Sequence, residues 1–285
     1  MTADAAVGAP ARRRWPRLRI RGGAWSVWLV GLFVFLAVFG PMIVPYDPVA
    51  TNTRVRLEAP SWAHLFGTDD VGRDVFSRVI AATRLDLMIA LGAVLLSLGI
   101  GTALGAAAGW AGGWTDRIVS RTIDTIMGFP LFVLAVGIAA GMGNSVWSVV
   151  IATSVVNLPL YARTTRSEVN RRRTSGYVQA ARLSGIGSFT IVARHILPNV
   201  TPILAVQASL NIGWAILNAA GLSFLGLGIR PPTPEWGILV SDGAEFLFSG
   251  EWWMFVFPGA MLVLAVLAFG GFGDWLRDRL DPKRA

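Results

Sequence analysis

Few residues of this chain have the types and spacing that reaction chemistry requires, and none completes a reacting set. Ser223, in Gly221-Leu-Ser, is a hydroxyl inside an apolar stretch. As a nucleophile it would need a base within hydrogen-bond reach. His64 and His195 lie in polar connections outside the apolar runs, and the one lysine, Lys283, stands at the end of the chain. An intramembrane serine protease is therefore a poor fit. There is no cysteine, so disulfides and thiolate-bound metals are excluded, and two histidines leave little for an imidazole metal site. No Gly-x-x-x-x-Gly-Lys-Ser/Thr loop is present to cradle a triphosphate. Neither a catalytic set, a metal site nor a cofactor of the chain's own is expected. What remains is hydrogen bonding inside an apolar medium. Ser154, Asn157 and Tyr161 follow one another at offsets of three and four, and Gln207, Asn211 and Asn218 at four and seven, so each set shares one helical face. Two readings stand: the groups line an aqueous path and bind a polar solute, or they tie helices together at about 0.6 kcal/mol each.

The elements that carry these groups are membrane helices. Of the 285 residues, 54% are hydrophobic and 15% are charged, against about a quarter charged in a soluble domain. Six continuous apolar runs, near 25–44, 86–109, 119–141, 146–163, 200–228 and 253–273, each approach the ~20 residues a helix needs to cross a bilayer. Arginine placement orients them. The first tail carries Arg12, Arg13, Arg14, Arg17, Arg19 and Arg21; the connection 163–194 carries Arg163, Arg166, Arg171, Arg172, Arg173, Arg182 and Arg194; the last tail carries Arg277, Arg279, Lys283 and Arg284. All three belong inside, which requires an even number of spans. The net charge of +8 is thus a topology signal and not a nucleic-acid footprint. The expected fold class is an all-α integral membrane protein with six transmembrane helices and both termini cytoplasmic.

Other residues read as structure. Ser97, Gly101, Gly105 and Gly109 recur every four residues, spacing that lets a second helix approach closely. That helix belongs to this chain or to a second subunit. Asp86, Asp116 and Asp124 stand at or near span ends, with Arg121 and Asp124 spaced to pair. No second acid is evident deep in another span, which argues against a proton relay. Pro130, Pro159, Pro202 and Pro258 allow kinks.

Three strings are more specific. Residues 176–198 read Gly-Tyr-Val-Gln-Ala-Ala-Arg-Leu-Ser-Gly-Ile-Gly-Ser-Phe-Thr-Ile-Val-Ala-Arg-His-Ile-Leu-Pro: a helix, a sharp turn at Gly185–Gly187, a short helix, and Pro198 opening the next. Residues 66–78, Phe-Gly-Thr-Asp-Asp-Val-Gly-Arg-Asp-Val-Phe-Ser-Arg, read as a turn feeding a helix capped by Thr68 or Asp69. Residues 222–237, Leu-Ser-Phe-Leu-Gly-Leu-Gly-Ile-Arg-Pro-Pro-Thr-Pro-Glu-Trp-Gly, end a span and stiffen the following loop. Trp236 and Trp252-Trp253 suit the headgroup level.

Together these strings resemble the permeases of binding-protein-dependent ABC importers, specifically the C-type subunit of the dipeptide, oligopeptide and nickel subfamily. Ala180, Ala181, Gly185, Leu197 and Pro198 match the pattern of its cytoplasmic loop. Gln179 stands where Glu is usual, and His195 where Ile is frequent. The resemblance implies a type I importer permease fold and an ATP-driven importer of di- and oligopeptides. It implies as partners a homologous permease forming a heterodimer, two ATPase domains carrying ATP and Mg, an extracytoplasmic substrate-binding protein, and the lipid of a bacterial inner membrane, with no nucleic acid. It assigns Tyr177, Gln179, Ala180, Ala181, Arg182, Gly185, His195 and Pro198 to the ATPase-coupling loop. Asp69, Asp70, Arg73, Asp74, Glu235 and Trp236 go to the outer face that meets the binding protein. Ser154, Asn157, Gln207, Asn211 and Asn218 go to the translocation path. The expected organisation is a basic tail 1–24, a first helix with its outer segment 25–84, a five-helix core 85–275 containing the coupling loop 164–199, and a tail 276–285. An ion-coupled secondary transporter is the other reading; it would show intramembrane acids and repeated halves.

Overall fold

A computed structural model describes residues 23–280. Residues 1–22 and 281–285, which hold most of the two anticipated basic tails, lie outside the described residues. The chain is helical throughout, with no strand among the described residues. In order it forms α1 (Gly23–Ile43), α2 (Val75–Ala111), α3 (Gly113–Met127), α4 (Leu131–Met142), α5 (Val146–Arg172), α6 (Gly176–Leu183), the single turn α7 (Ser188–Thr190), α8 (Leu197–Phe224), α9 (Trp236–Phe246) and α10 (Trp253–Leu280). Among the described residues, five helices are long and apolar enough to cross a membrane: α1, α2, α5, the continuous helix Ser188–Phe224, and α10.

The sixth span differs from the one read at 119–141. It is a pair, α3 and α4, bent by 92° at Gly128-Phe129-Pro130. Pro130 supplies no backbone donor, and α3 carries Asp116, Arg117, Arg121 and Asp124, which favour an interface over hydrocarbon. The 12 residues of α4 reach only ~18 Å, short of a ~30 Å core. Other helices overrun their apolar runs. The 37 residues of α2 extend ~55 Å, starting well before residue 86, and α5 continues past 163 to Arg172.

Close packing sets the arrangement. α2 and α5 run parallel: Gly101 faces Leu158, Tyr161 and Ala162, and Gly109 faces Arg166 and Val169. The small-residue stripe therefore serves a helix of this same chain. α1 lies antiparallel to α10, with Trp25 and Ser26 beside Gly271, and its far end meets α2 where Gly40 touches Ile80. Loops 44–74 and 225–252 gather at one end of the bundle, here the Pro-rich end, and residues 173–187 at the other, the Arg-rich end.

Candidate functional site

At the Arg-rich end, α6 is terminated by a backbone motif that explains the Gly185 signal. Gly185 N–H donates to Arg182 O at 3.0 Å and Ile186 N–H to Ala181 O at 3.1 Å, the paired bonds of a Schellman cap. Gly185 has φ +77, a conformation that a β-carbon disfavours. Val178 and Ala181 on α6, with Ile191 and Ile196 beyond the turn, anchor the hairpin in the core. The Arg182 guanidinium lies 4.4 Å from the centre of the Trp110 ring, and Arg173 Nη1 donates to Gly109 O at 3.5 Å, tying the hairpin to the end of α2. Tyr177, Gln179, Ala180, Arg182 and Gly185 are exposed, while Ala181 is buried. Gln179 Nε2 donates to Thr174 O at 3.0 Å, so this side chain closes the loop entering α6. Leu183 is 90% exposed and Phe189 85%, two apolar side chains flanking the turn that were not singled out from the sequence.

Beyond the turn, Ile191–Ile196 is π-helical and runs directly into α8. Half-buried His195 lies in this stretch, and its carbonyl accepts from Asn199 Nδ2 at 2.7 Å. Pro198 thus sits near the start of α8 without opening a separate helix. Asp124 accepts from Arg163 Nη2 at 2.8 Å, not from Arg121, and Asp116 binds Arg166. Both acids of α3 are turned to α5.

In the middle of the bundle two amides of α8 reach α5. Asn211 Nδ2 donates to Tyr161 Oη at 3.1 Å and Gln207 Nε2 to Thr164 Oγ1 at 3.0 Å. Asn218 and Ser154 bond within their own helices, to Trp214 O and Ile151 O. Asn157 Nδ2 and Gln207 Oε1 are buried without a partner, leaving hydrogen-bonding capacity on both helices.

The Pro-rich end is built differently from the sequence expectation. The helix begins at Val75 with Asp74 as its cap, not Thr68 or Asp69. Asp74 Oδ2 accepts from Ser77 N–H at 2.8 Å, and its Oδ1 lies 2.9 Å from His64 Nδ1. Asp69 accepts from Arg73 N–H at 2.8 Å and Arg73 Nε at 2.6 Å. Fully buried Arg78 lies 3.7 Å from Asp69 and donates to Pro48 O at 3.1 Å. Gly67, at φ +71, passes so close to Glu58 O and the Trp253 indole that a β-carbon would lie within 2.8 Å of both. Glu235 caps α9 through Ile238 N–H at 2.9 Å, and Trp236 Nε1 donates to Val79 O at 3.0 Å. Trp253 is likewise buried, donating to Thr68 O at 3.1 Å. Asp69, Arg73, Asp74, Glu235 and Trp236, expected on an outer contact face, are therefore buried, and only Asp70 is half-exposed. Their bonds close the 44–74 segment on itself, cap α2 and α9, and, through Trp236 Nε1, tie α9 to α2.

A bundle of long apolar helices, a broken span, and a capped hairpin joining two of the spans define a membrane permease. The fold has a solved counterpart: the inward-facing methionine ABC transporter matches with TM-score 0.58 at 16% identity, over 72% of this chain and 96% of that one. The chain belongs to the family of binding-protein-dependent transport system inner membrane components, whose pattern matches residues 101–285. Residues 11–60 match the N-terminal transmembrane domain of oligopeptide transport permease C. The dipeptide transport system permease protein of Alkalihalophilus pseudofirmus is 42% identical over 90% of this chain and 84% of its own length. The probable D,D-dipeptide transport system permease protein of Escherichia coli K12 is 40% identical over 90% and 86%. The glutathione transport system permease protein of Pectobacterium atrosepticum is 39% identical over 98% and 93%.

Proposed function

We propose that the chain is the permease subunit of an ATP-driven importer of short peptides. It would form a translocation path with a homologous permease, receive substrate from an extracytoplasmic binding protein, and be driven by two ATPase domains that carry the ATP and Mg. The observation that carries the reading is the Arg-rich hairpin. It is locked by its Schellman cap and by Arg182 on Trp110, and it projects Leu183 and Phe189 beyond the apolar spans. Exposed apolar side chains on a rigid turn suit a partner groove, and a hairpin continuous with α8 passes displacement directly into the bundle. The peptide substrate is supported by the relatives that carry dipeptide transport names. On arginine placement, the Arg-rich end and both termini face the cytoplasm of a bacterial inner membrane.

The test is affinity purification of the full chain from its native membrane in mild detergent, with mass spectrometry of what accompanies it. Recovery of a second permease, Walker-motif ATPases and a binding protein holding a peptide supports the reading. Leu183→Asp combined with Phe189→Asp should then lose the ATPases and keep the second permease. A chain that purifies alone and still supports uptake driven by an ion gradient overturns it.

A further inference from the structure

Two carboxyl groups meet inside the Pro-rich end with no cation against them. Asp86 on α2 is 1% exposed and Glu235 at the start of α9 is 0% exposed. Glu235 is the chain neighbour of Trp236, whose backbone N–H binds Asp86, so the two carboxyls lie beside one another. Each also accepts from the first turn of α9: Trp236 N–H donates to Asp86 Oδ2 at 3.2 Å, and Ile238 N–H to Glu235 Oε2 at 2.9 Å. The remaining oxygens, Asp86 Oδ1 and Glu235 Oε1, are buried without a hydrogen-bond partner, and the buried hydroxyl of Ser223, equally unpartnered, stands beside Glu235.

An ionised carboxylate only accepts hydrogen bonds. Two ionised carboxylates in contact and out of water would repel strongly and leave Asp86 Oδ1 unsatisfied. One proton removes both problems, because a single O–H···O⁻ bond between the acids is of the strong, charge-assisted kind; the Ser223 hydroxyl can add a donor to Glu235 but, being neutral, leaves the repulsion in place. The neighbouring charges offer no other remedy. Arg78 turns to Asp69, Pro48 O and Pro232 O, and Arg73 is held by Asp69. Asp242 on α9 interacts with that arginine cluster. Arg84 and Arg230 are exposed. α1 from Ala24 to Ile43 and α8 carry no charged residue.

We propose that Asp86 and Glu235 form a proton-binding site. The pair holds one proton between Asp86 Oδ1 and Glu235 Oε1, and this bond latches the start of α9 to α2. The cap position of Glu235 favours negative charge there, so the proton resides on Asp86. The two acids titrate as a unit. Any rearrangement that draws α9 away from α2 breaks the O–H···O⁻ bond, so opening of the Pro-rich end and release of this proton are linked. The site stands independently of the peptide-importer reading, because it depends on the α2–α9 contact alone.

Infrared spectroscopy of the full chain in lipid nanodiscs tests the site. The expected result is a buried protonated-carboxyl band near neutral pH that shifts on aspartate-specific carbon-13 labelling and disappears in Asp86→Asn. The labelling assigns the band to an aspartate without a substitution, and persistence of the band in Asp242→Asn separates Asp86 from the other acid of this end that burial raises, so misfolding of one variant does not decide the outcome. Absence of the band from the wild type near neutral pH, or an unshifted band on labelling, overturns the proposal. An absent band together with a melting temperature that rises in sodium chloride, but not in choline chloride, would make the pair a monovalent cation site instead.

Discussion

Gly101→Ala tests the packing of α2 on α5 most directly. A β-carbon at position 101 would lie 2.8 Å from Tyr161 Cβ, 2.9 Å from Leu158 O and 3.1 Å from Ala162 N. Carbon atoms rest about 3.5–4.0 Å apart, so α5 must retreat by roughly 1 Å. None of the three obstructing atoms is the free end of a flexible side chain, so local relaxation is poor. Overpacking of this kind costs about 1–3 kcal/mol. The retreat also pulls the Tyr161 hydroxyl from Asn211 Nδ2, a bond of about 0.6 kcal/mol in a membrane bundle. Against this stands the intrinsic gain of Ala over Gly in a helix, about 0.5–1 kcal/mol. The net expectation is a loss of about 1–3 kcal/mol.

Gly99→Ala is the internal control. It lies on the same helix, and its β-carbon would meet nothing within 4 Å. It should therefore gain about 0.5–1 kcal/mol. The two variants should differ by about 2 kcal/mol or more, roughly thirtyfold in the unfolding equilibrium. Helical circular dichroism of the purified chain, titrated with denaturing detergent in mixed micelles, measures both. If the two substitutions have the same sign, or if Gly101→Ala stays within about 0.5 kcal/mol of wild type, the tight parallel contact is wrong.

Three further outcomes follow from the same geometry. Gly185→Val places a β-branched residue at φ +77, costing about 1–2 kcal/mol; the hairpin should become more susceptible to limited proteolysis while the spans keep their helical signal. Asn211→Leu and Tyr161→Phe, measured singly and together, should show a coupling energy of about 0.6 kcal/mol; zero coupling removes the amide–phenol bond, and transport lost without loss of stability favours path lining. Burial raises the Glu235 carboxyl and couples it to Asp86, so the pair keeps one shared proton in the folded chain over a pH window where the unfolded carboxyls have lost theirs. Stability should therefore fall as pH rises through that window, read as a falling melting temperature, and Asp86→Asn should flatten the profile.

The spans were legible because their signal is local. Continuous apolar runs and arginine placement need no knowledge of partners, and the hairpin at Gly185 was legible because glycine is the residue its φ demands. The break at Gly128–Pro130 was written in the same residues, but periodicity alone averaged a charged interfacial helix and a short apolar one into a single span. α9 went unread for a different reason. Pro231, Pro232 and Pro234 signal a surface loop, and only the tertiary fold places Trp236 and Glu235 against α2. Asp86 consequently read as a lone acid at a span end, since its partner belongs to a segment taken as exposed.

The same inversion governs the acids of the 66–78 string, where the family resemblance implied a docking face and burial makes Asp69 and Asp74 internal ties. The two roles separate cleanly at adjacent positions. Asp69 binds Arg73 at 2.6 Å and lies 3.7 Å from fully buried Arg78. Asp69→Asn keeps the shape and can still accept from Val71 and Arg73 N–H, but it leaves two buried guanidiniums one anion short. Breaking a buried pair costs about 3–5 kcal/mol, and the retained backbone bonds put this variant near ~3 kcal/mol. Asp70, 3.9 Å from Arg73 Nη2 with a side chain 38% exposed, makes at most a surface pair, so Asp70→Asn should change stability by less than about 1 kcal/mol. Thermal unfolding of the two purified variants measures the contrast. Equal stability would mean that Asp69 is hydrated and available at the surface. A large loss confined to Asp69→Asn would mean that the charged string anchors the 44–74 segment to α2, and that any transport defect there originates in folding.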